Sequence, residues 1–514
     1  MIESRLRLVD LLAALSVATD LGMGQPPGTA LRCCLLATGL ARSRDLAEDD
    51  VRSVFLGTML RHIGCTATAA VEVRVYGGNE LVSRRAAQPA DFGNPREMVR
   101  LTLSSGQGAG LRRPALIARS IRGDVRHGTE ILLSVCDAAS VLAGRLGLAP
   151  EVQDCVAQQF ERWDGKGPRR LAQDEVSLPA RVGDVATQAV LFLDAEGPDA
   201  AVAMVEQRAG GWFDPEVAAA FGRVGLGLMD ELSAVDPWSA LLEAEPRPVE
   251  YIGEPDLDRV ARCFADMVDL KSSYTVGHSA EVARLAEGAA RSLGLPEPDV
   301  VDLRRAAMLH DLGKVGVSSV VWEKTGQLTR TEWEQVRLHP YHTERILACS
   351  ASLAPVARIA GLHHERMDGS GYHHGLRGAA IPVAARVLAA AVAFRTATED
   401  RPHRQARTRE EAAEHVTQDA TSGGLDADCV AAVIEAAGQP RPRVRRQWPA
   451  GLSDREVEVL RLVARGLSNH QIAKRLVISR RTAEHHVQHI YAKIGHPTRA
   501  AATLFAMEHD LLNS

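Results

Sequence analysis

The chain has 514 residues, 46% of them hydrophobic and only 4% aromatic, and carries a formal net charge of -5. That length suggests about three domains, and a composition rich in Ala and Leu but poor in aromatics favours packed helices over sheets. No apolar run is long enough to cross a bilayer and the start, MIESRLRLVDLL, lacks the layout of a signal peptide, so a cytoplasmic protein without membrane contact is expected.

The eight cysteines form no CxxC pair and show no regular spacing, which reads as free, buried thiols in a reducing compartment. Proline-rich stretches from Asp236 to Asp256 and from Gly438 to Pro449 interrupt the helical patterning. Because proline stops helices and stiffens linkers, they predict domains at 1–235, 250–437 and 448–514.

The first two predicted domains read as a diverged internal duplication. The stretch from Gly28 to Gly64 aligns without a gap to that from Gly277 to Gly313, and later FERWDGKG parallels HERMDGSG, with LPARV against VAARV. In that register Thr29 stands where the second copy has His278, Arg61 where it has His310, and His62 where it has Asp311. Gln159 and Phe160 replace His363 and His364. The first copy therefore reads as a degenerate scaffold with a structural or dimerising role.

The second copy concentrates chemistry. His278, the pair His310-Asp311, His339 and the pair His363-His364 place five histidines and an aspartate within 87 residues. Neutral imidazoles bind divalent metals, and one carboxylate can bridge two ions. An all-helical domain with this set is suited to Fe or Mn. Gly313, after the His-Asp pair, reads as permitting a turn.

YTVGHS, HDLGKVG, HP, HHERMDGSGY and IPVAARV with EDRPHR, in that order across residues 270–404, resemble the HD-GYP domain. This is a branch of the HD metal-dependent phosphohydrolases whose characterised members hydrolyse cyclic dinucleotides, chiefly cyclic di-GMP. The resemblance implies one metal on His278, His310 and a bridging Asp311, and another on Asp311, His339, His363 and His364. Lys314 would face the scissile phosphate, with Asp311 and Lys314 as the catalytic pair. Arg401 and Arg404 would hold substrate phosphate.

The departures from that family are specific. Its last metal-ligating Asp is Val392 here, a second family Asp is Arg395, and the GYP proline is His373. Losing the carboxylate at 392 weakens the first metal's shell, so the expectation is weak or absent hydrolysis, with one of the two metal sites occupied.

The C-terminal segment reads as three capped amphipathic helices. Ser453 with Glu456 forms a capping-box pattern, Gly466 ends that helix, and Ser468 and Ser479 open the next two across a VIS turn. Two helices so joined make a helix-turn-helix, and the segment closely resembles the LuxR/NarL-type output domain. The resemblance puts Glu484, His485 and Gln488 against base edges and Arg480, Arg481, Thr482 and Lys493 near phosphates. From Ala450 to Ser514 there are nine Lys or Arg against six Asp or Glu, and Arg441, Arg443, Arg445 and Arg446 precede them. This local basic charge suits double-stranded DNA. RAAATLFAMEHDLL has the spacing of a fourth helix suited to pairing two modules.

The expected architecture is all-α: two tandem HD-like helical domains, the first degenerate, and a four-helix LuxR-type domain. The expected function is transcription regulation by a homodimer, with the HD-GYP-like region as sensor of cyclic di-GMP or another nucleotide. One alternative is a cyclic di-GMP phosphodiesterase with a DNA-binding tail; another is an HD pair that serves only as a dimerisation platform.

Overall fold

A computed structural model describes residues 6–104, 126–442, 448–509 and 511–512. Arg443, Arg445 and Arg446 of the basic run lie outside the described residues, whereas Arg441 lies within them. Among the described residues the structure is all-α, apart from one antiparallel pair of two-residue strands, Leu6–Arg7 with Tyr251–Ile252. No helix among them is long and apolar enough to cross a membrane. All eight cysteines are free, seven of them buried and Cys349 exposed.

The chain divides into two compact units, one of residues 1–280, 308–358 and 400–405, the other of 281–307, 359–399 and 406–514. In the first unit an apolar core gathers Leu36, Leu40, Val54, Val185, Val190, Phe213 and Phe221. In the second, the C-terminal helices close around Val459, Leu460, Ile472, Val487 and Ile490.

The duplication is visible in helix register. Helix Thr29–Ser43 has the bounds of helix His278–Ser292, and Glu48 opens a helix in the register of Glu297. Buried ionic details repeat as well. Asp20 accepts the Ala30 amide at 3.0 Å, while Asp269, its counterpart, accepts the Ser279 amide at 3.0 Å and the Ser279 hydroxyl at 2.7 Å. Each carboxylate thus caps the helix that starts with Thr29 or His278, satisfying amides that have no partner inside the helix. Arg181 pairs with Asp214 at 2.7 Å in the first copy, and Arg386 with Asp426 at 3.3 Å in the second.

The stretch Asp236–Asp256 is folded. Pro237 sits in the first turn of helix Pro237–Ala244, where its missing N–H costs nothing, and Asp236 caps that helix through the Ser239 amide at 2.9 Å. Glu245 then pairs with Arg7, next to the two-stranded ribbon.

Candidate metal centre and recognition helix

The site is assembled from segment ends. Helix Glu297–Leu309 stops one residue short of His310, and a 3-10 turn, Leu312–Gly316, follows Asp311. This turn lies against helix His339–Leu347 so closely that a Cβ on Gly313 would come within 2.0 Å of the His339 carbonyl oxygen. Gly313 has no left-handed φ. The turn the sequence suggested is present, and the glycine is needed in it for close backbone approach rather than for a left-handed φ. Thr343 completes the junction, its hydroxyl accepting the Gly313 amide at 2.9 Å and donating to the His310 carbonyl at 2.8 Å.

Four predicted metal residues of the first unit meet as a result. Nε2 of His310 is 3.2 Å and Nε2 of His278 3.7 Å from Oδ2 of Asp311, while Nε2 of His339 is 3.6 Å from its Oδ1. All four side chains are buried. Burial alone would push the Asp311 carboxyl up, yet His310, Lys314 and His278 hold it well below the usual carboxylate range. Burial pushes His339 down to about 3, with Asp311 opposing. Its Nδ1 meets the Val336 carbonyl at 2.6 Å, an outer hydrogen bond that turns Nε2 toward Asp311, as a ligating histidine would be held. Lys314 pairs with Asp311 and lies 5.4 Å from the Trp322 ring centre.

In the second unit His363 makes the same outer contact, Nδ1 to the Ala360 carbonyl at 2.7 Å. His364 lies with its ring centre 4.2 Å from that of His363 and 4.8 Å from that of Tyr372. The loop beyond is held by Glu365, which accepts the amides of His374 and Leu376, each at 2.8 Å. Val392 is buried in helix Val383–Ala397, and Arg395 on that helix pairs with Glu399 at 2.8 Å. Arg401 and Arg404, in the first unit, face each other across a tight bridge, amide to carbonyl at 2.8 Å and 3.1 Å.

The donor set fits a divalent ion. The ligand atoms of His278, His310 and Asp311 all lie within 4.8 Å of one another, close to the spacing of donors around one ion at about 2.0–2.2 Å. Two supports escaped the sequence reading. Asp269 holds the start of the His278 helix, and burial raises its carboxyl to about 7. Glu80, from the first copy, binds Lys271 at 2.9 Å and the Ser319 amide at 2.8 Å, with both members of the ion pair fully buried. It ties the segment before His278 to the segment after Lys314. Only the repeat register could have flagged Asp269, as the counterpart of Asp20; no local signal marks Glu80.

The C-terminal module keeps its predicted caps. Ser453 and Ser468 form capping boxes with Glu456 and Gln471, and Ser479 caps helix Arg480–Ile494. That helix buries Ala483, Val487 and Ile490 and exposes Arg480, Arg481, Thr482, His485 and Gln488. Glu484 is paired with Arg480 at 2.9 Å, which offsets part of its negative charge. Lys493 binds Glu456 at 2.6 Å and the Gly451 carbonyl at 2.9 Å, so it also ties the module's first helix to its third. Helix Arg499–Glu508 supplies the fourth and leaves Leu504 and Met507 exposed.

These features define a helical domain with a candidate metal cluster, and a helix-turn-helix. Residues 262–429 match the HD domain family, and residues 450–506 match the luxR family of bacterial regulatory proteins; the chain carries both. Over 434 residues, 84% of this chain, it is 27% identical to the 3'3'-cGAMP-specific phosphodiesterase 3 of Vibrio cholerae and spans 94% of that protein. A crystal structure of a cyclic GMP-AMP specific phosphodiesterase from V. cholerae shares the fold, with TM-score 0.58 and 24% identity over 85% of this chain and 98% of that one. A cyclic di-GMP phosphodiesterase of Pseudomonas aeruginosa is 36% identical over 183 residues, 35% of this chain and 44% of that protein.

Proposed function

We propose that the chain is a transcription regulator in which residues 448–514 bind double-stranded DNA as a homodimer and the HD-GYP-like domain, residues 250–437, is a metal-dependent cyclic dinucleotide sensor. Residues 1–235 form its degenerate partner. His278, His310 and Asp311 would hold one divalent ion, Fe or Mn. The family resemblance assigns Asp311, His339, His363 and His364 to another. Such an ion would polarise a phosphate oxygen and supply hydroxide at neutral pH. The chain's own groups bind and orient: Lys314 and the arginines Arg401 and Arg404 attract the phosphates of the ligand, and Asp311, kept ionised beside Lys314, stays an acceptor.

The observation that favours sensing over turnover is Val392. It is 6% exposed, an aliphatic side chain where the family has a carboxylate, and it offers no oxygen to the first ion. Cyclic di-GMP and 3'3'-cGAMP are the ligands to try, because the relatives are named for them. On the DNA side, Arg480, Arg481, Thr482 and Lys493 serve phosphates, and Glu484, His485 and Gln488 serve base edges.

The test is metal analysis of the full-length protein, a turnover assay with each cyclic dinucleotide, and binding to its own promoter DNA with and without them. Tight ligand binding with negligible turnover, and DNA affinity that changes on ligand addition, is expected. The enzyme reading has one observation in its favour, the intact cluster of His278, His310, Asp311 and Lys314. Robust turnover abolished by His310→Ala would establish it in place of the sensor. Restoring the carboxylate with Val392→Asp is expected to raise metal content above that of the parent chain.

A further inference from the structure

The recognition helix carries a pair of side chains with a second chemistry. His485 and His489 stand one turn apart on helix Arg480–Ile494, and both are exposed. Residues four apart share one face of a helix, one above the other, and the two ring centres are 4.9 Å apart with their planes at 62°. Neither ring takes part in a hydrogen bond or ion pair among the described residues, so their nitrogens are open to a ligand. The neighbouring Glu484 is already paired with Arg480.

A neutral imidazole offers one lone pair, and two of them at i and i+4 can hold one ion between them, the spacing that serves zinc on helices elsewhere. Imidazole suits zinc, copper and nickel, whereas magnesium and calcium take oxygen ligands. Because both side chains are exposed, the rotation that brings one nitrogen of each onto a common ion displaces no packed neighbour. His486 lies about 100° further round the helix and cannot join them. No third histidine, cysteine or carboxylate groups with the pair among the described residues, so water would fill the remaining positions. Structural zinc is held by four protein ligands and catalytic zinc by three. An ion on two is exchangeable, and its occupancy follows the free metal concentration.

The position of the pair gives that ion a consequence. His485 and Gln488 are the base-edge residues of the proposed DNA contact, and His489 is exposed beside them. A helix about 10–12 Å across with its side chains fills a major groove about 12 Å wide. A hydrated ion has no room on the face that meets the bases.

We propose that His485 and His489 bind a zinc ion on the recognition helix, and that this ion and DNA exclude each other, so that free zinc releases the protein from DNA. The exclusion rests on the DNA-binding reading above, whereas the ion site stands on the two side chains alone.

The experiment uses the full-length chain, stripped of metal by chelation, and duplex DNA from its own promoter, in a buffer of fixed pH that does not bind metal. Equilibrium dialysis against zinc chloride should show one ion per chain fewer in His489→Ala than in the parent. Zinc chloride should weaken DNA binding of the parent by about tenfold or more, the worth of one good base contact, and magnesium chloride at the same ionic strength should not. His489→Ala should bind DNA like the parent without zinc and keep that affinity when zinc is added. His310→Ala, which removes a member of the second copy's candidate metal cluster, should still release DNA on zinc addition. Equal zinc content in the parent and His489→Ala overturns the site. Zinc that leaves the parent's DNA affinity unchanged or raises it overturns the exclusion. Release that persists in His489→Ala, or is lost in His310→Ala, also overturns it by placing the response in the second copy. A chain that binds no DNA before zinc is added overturns the DNA-binding reading and the exclusion with it, while the dialysis still decides the site.

Discussion

The two copies share helix bounds and a buried capping carboxylate and differ in what they do with buried charge. In the second, an aspartate is surrounded by imidazoles and a lysine, an arrangement of ligands around a place for cations. In the first, Arg61 occupies the register of His310 and is held by Asp184 and the Gln159 carbonyl. A guanidinium keeps its charge over the whole accessible pH range, whereas an imidazole can also act as a neutral metal ligand. The exchange replaces a candidate metal cluster with a guanidinium paired to a buried carboxylate. Close backbone packing survives it: a Cβ on Gly64 would lie 2.2 Å from the Val135 carbonyl, as one on Gly313 would lie 2.0 Å from that of His339. That equivalence places Val135 where the second copy has His339, a substitution the gap-free alignment did not reach.

The largest expected contrast is in metal content. Asp311→Asn should remove bound metal from the full-length protein, while Arg61→Met should leave it unchanged, as read by elemental analysis. Metal retained by the first variant and lost in the second would reverse the roles of the copies.

Next comes the dependence of the second copy on the first. Glu80→Ala leaves Lys271 buried without its partner and should cost about 3–5 kcal/mol in denaturant unfolding. Glu80→Leu combined with Lys271→Met should recover most of that, because exchanging a buried pair for apolar side chains is often neutral or better. If the single variant unfolds like the parent, the pair does not hold the two segments together.

A smaller effect, of about 1–3 kcal/mol by overpacking, is expected for Gly64→Ala and Gly313→Ala. Both should lower the melting temperature, and Gly313→Ala alone should also lower metal affinity, since it pushes on the backbone of His339. Equal metal affinity in the two variants would show that this junction does not set ligand position.

The smallest effects belong to the recognition helix. Arg481→Ala should weaken binding to all DNA sequences and reduce the salt slope by about one, whereas Gln488→Ala should change sequence preference. Lys493→Ala should weaken DNA binding and also lower the melting temperature of the module, because Lys493 bonds Glu456 and Gly451. Competition binding at several salt concentrations separates these outcomes.

Much of this was legible in the residues. The repeat gave the register in which Thr29 and His278 both open helices, and the serines at 453, 468 and 479 marked three helix starts, because caps and periodicity are local properties of a few neighbouring residues. The order of histidines and the Asp311 carboxylate suggested a donor set, since ligand chemistry is a property of residue type, and the fold brings His278, His310 and Asp311 together.

What only the tertiary structure decided lies in contacts between segments far apart in the chain. Glu80 reaches Lys271 and Ser319, Arg61 finds Asp184, Gly313 is required by the approach of His339, and Val135 takes the place of His339 in the first copy. No local pattern distinguishes a buried glutamate that holds two loops from one on a solvated helix face. The choice is made by desolvation: once a charge is buried it must find a partner wherever the fold brings one.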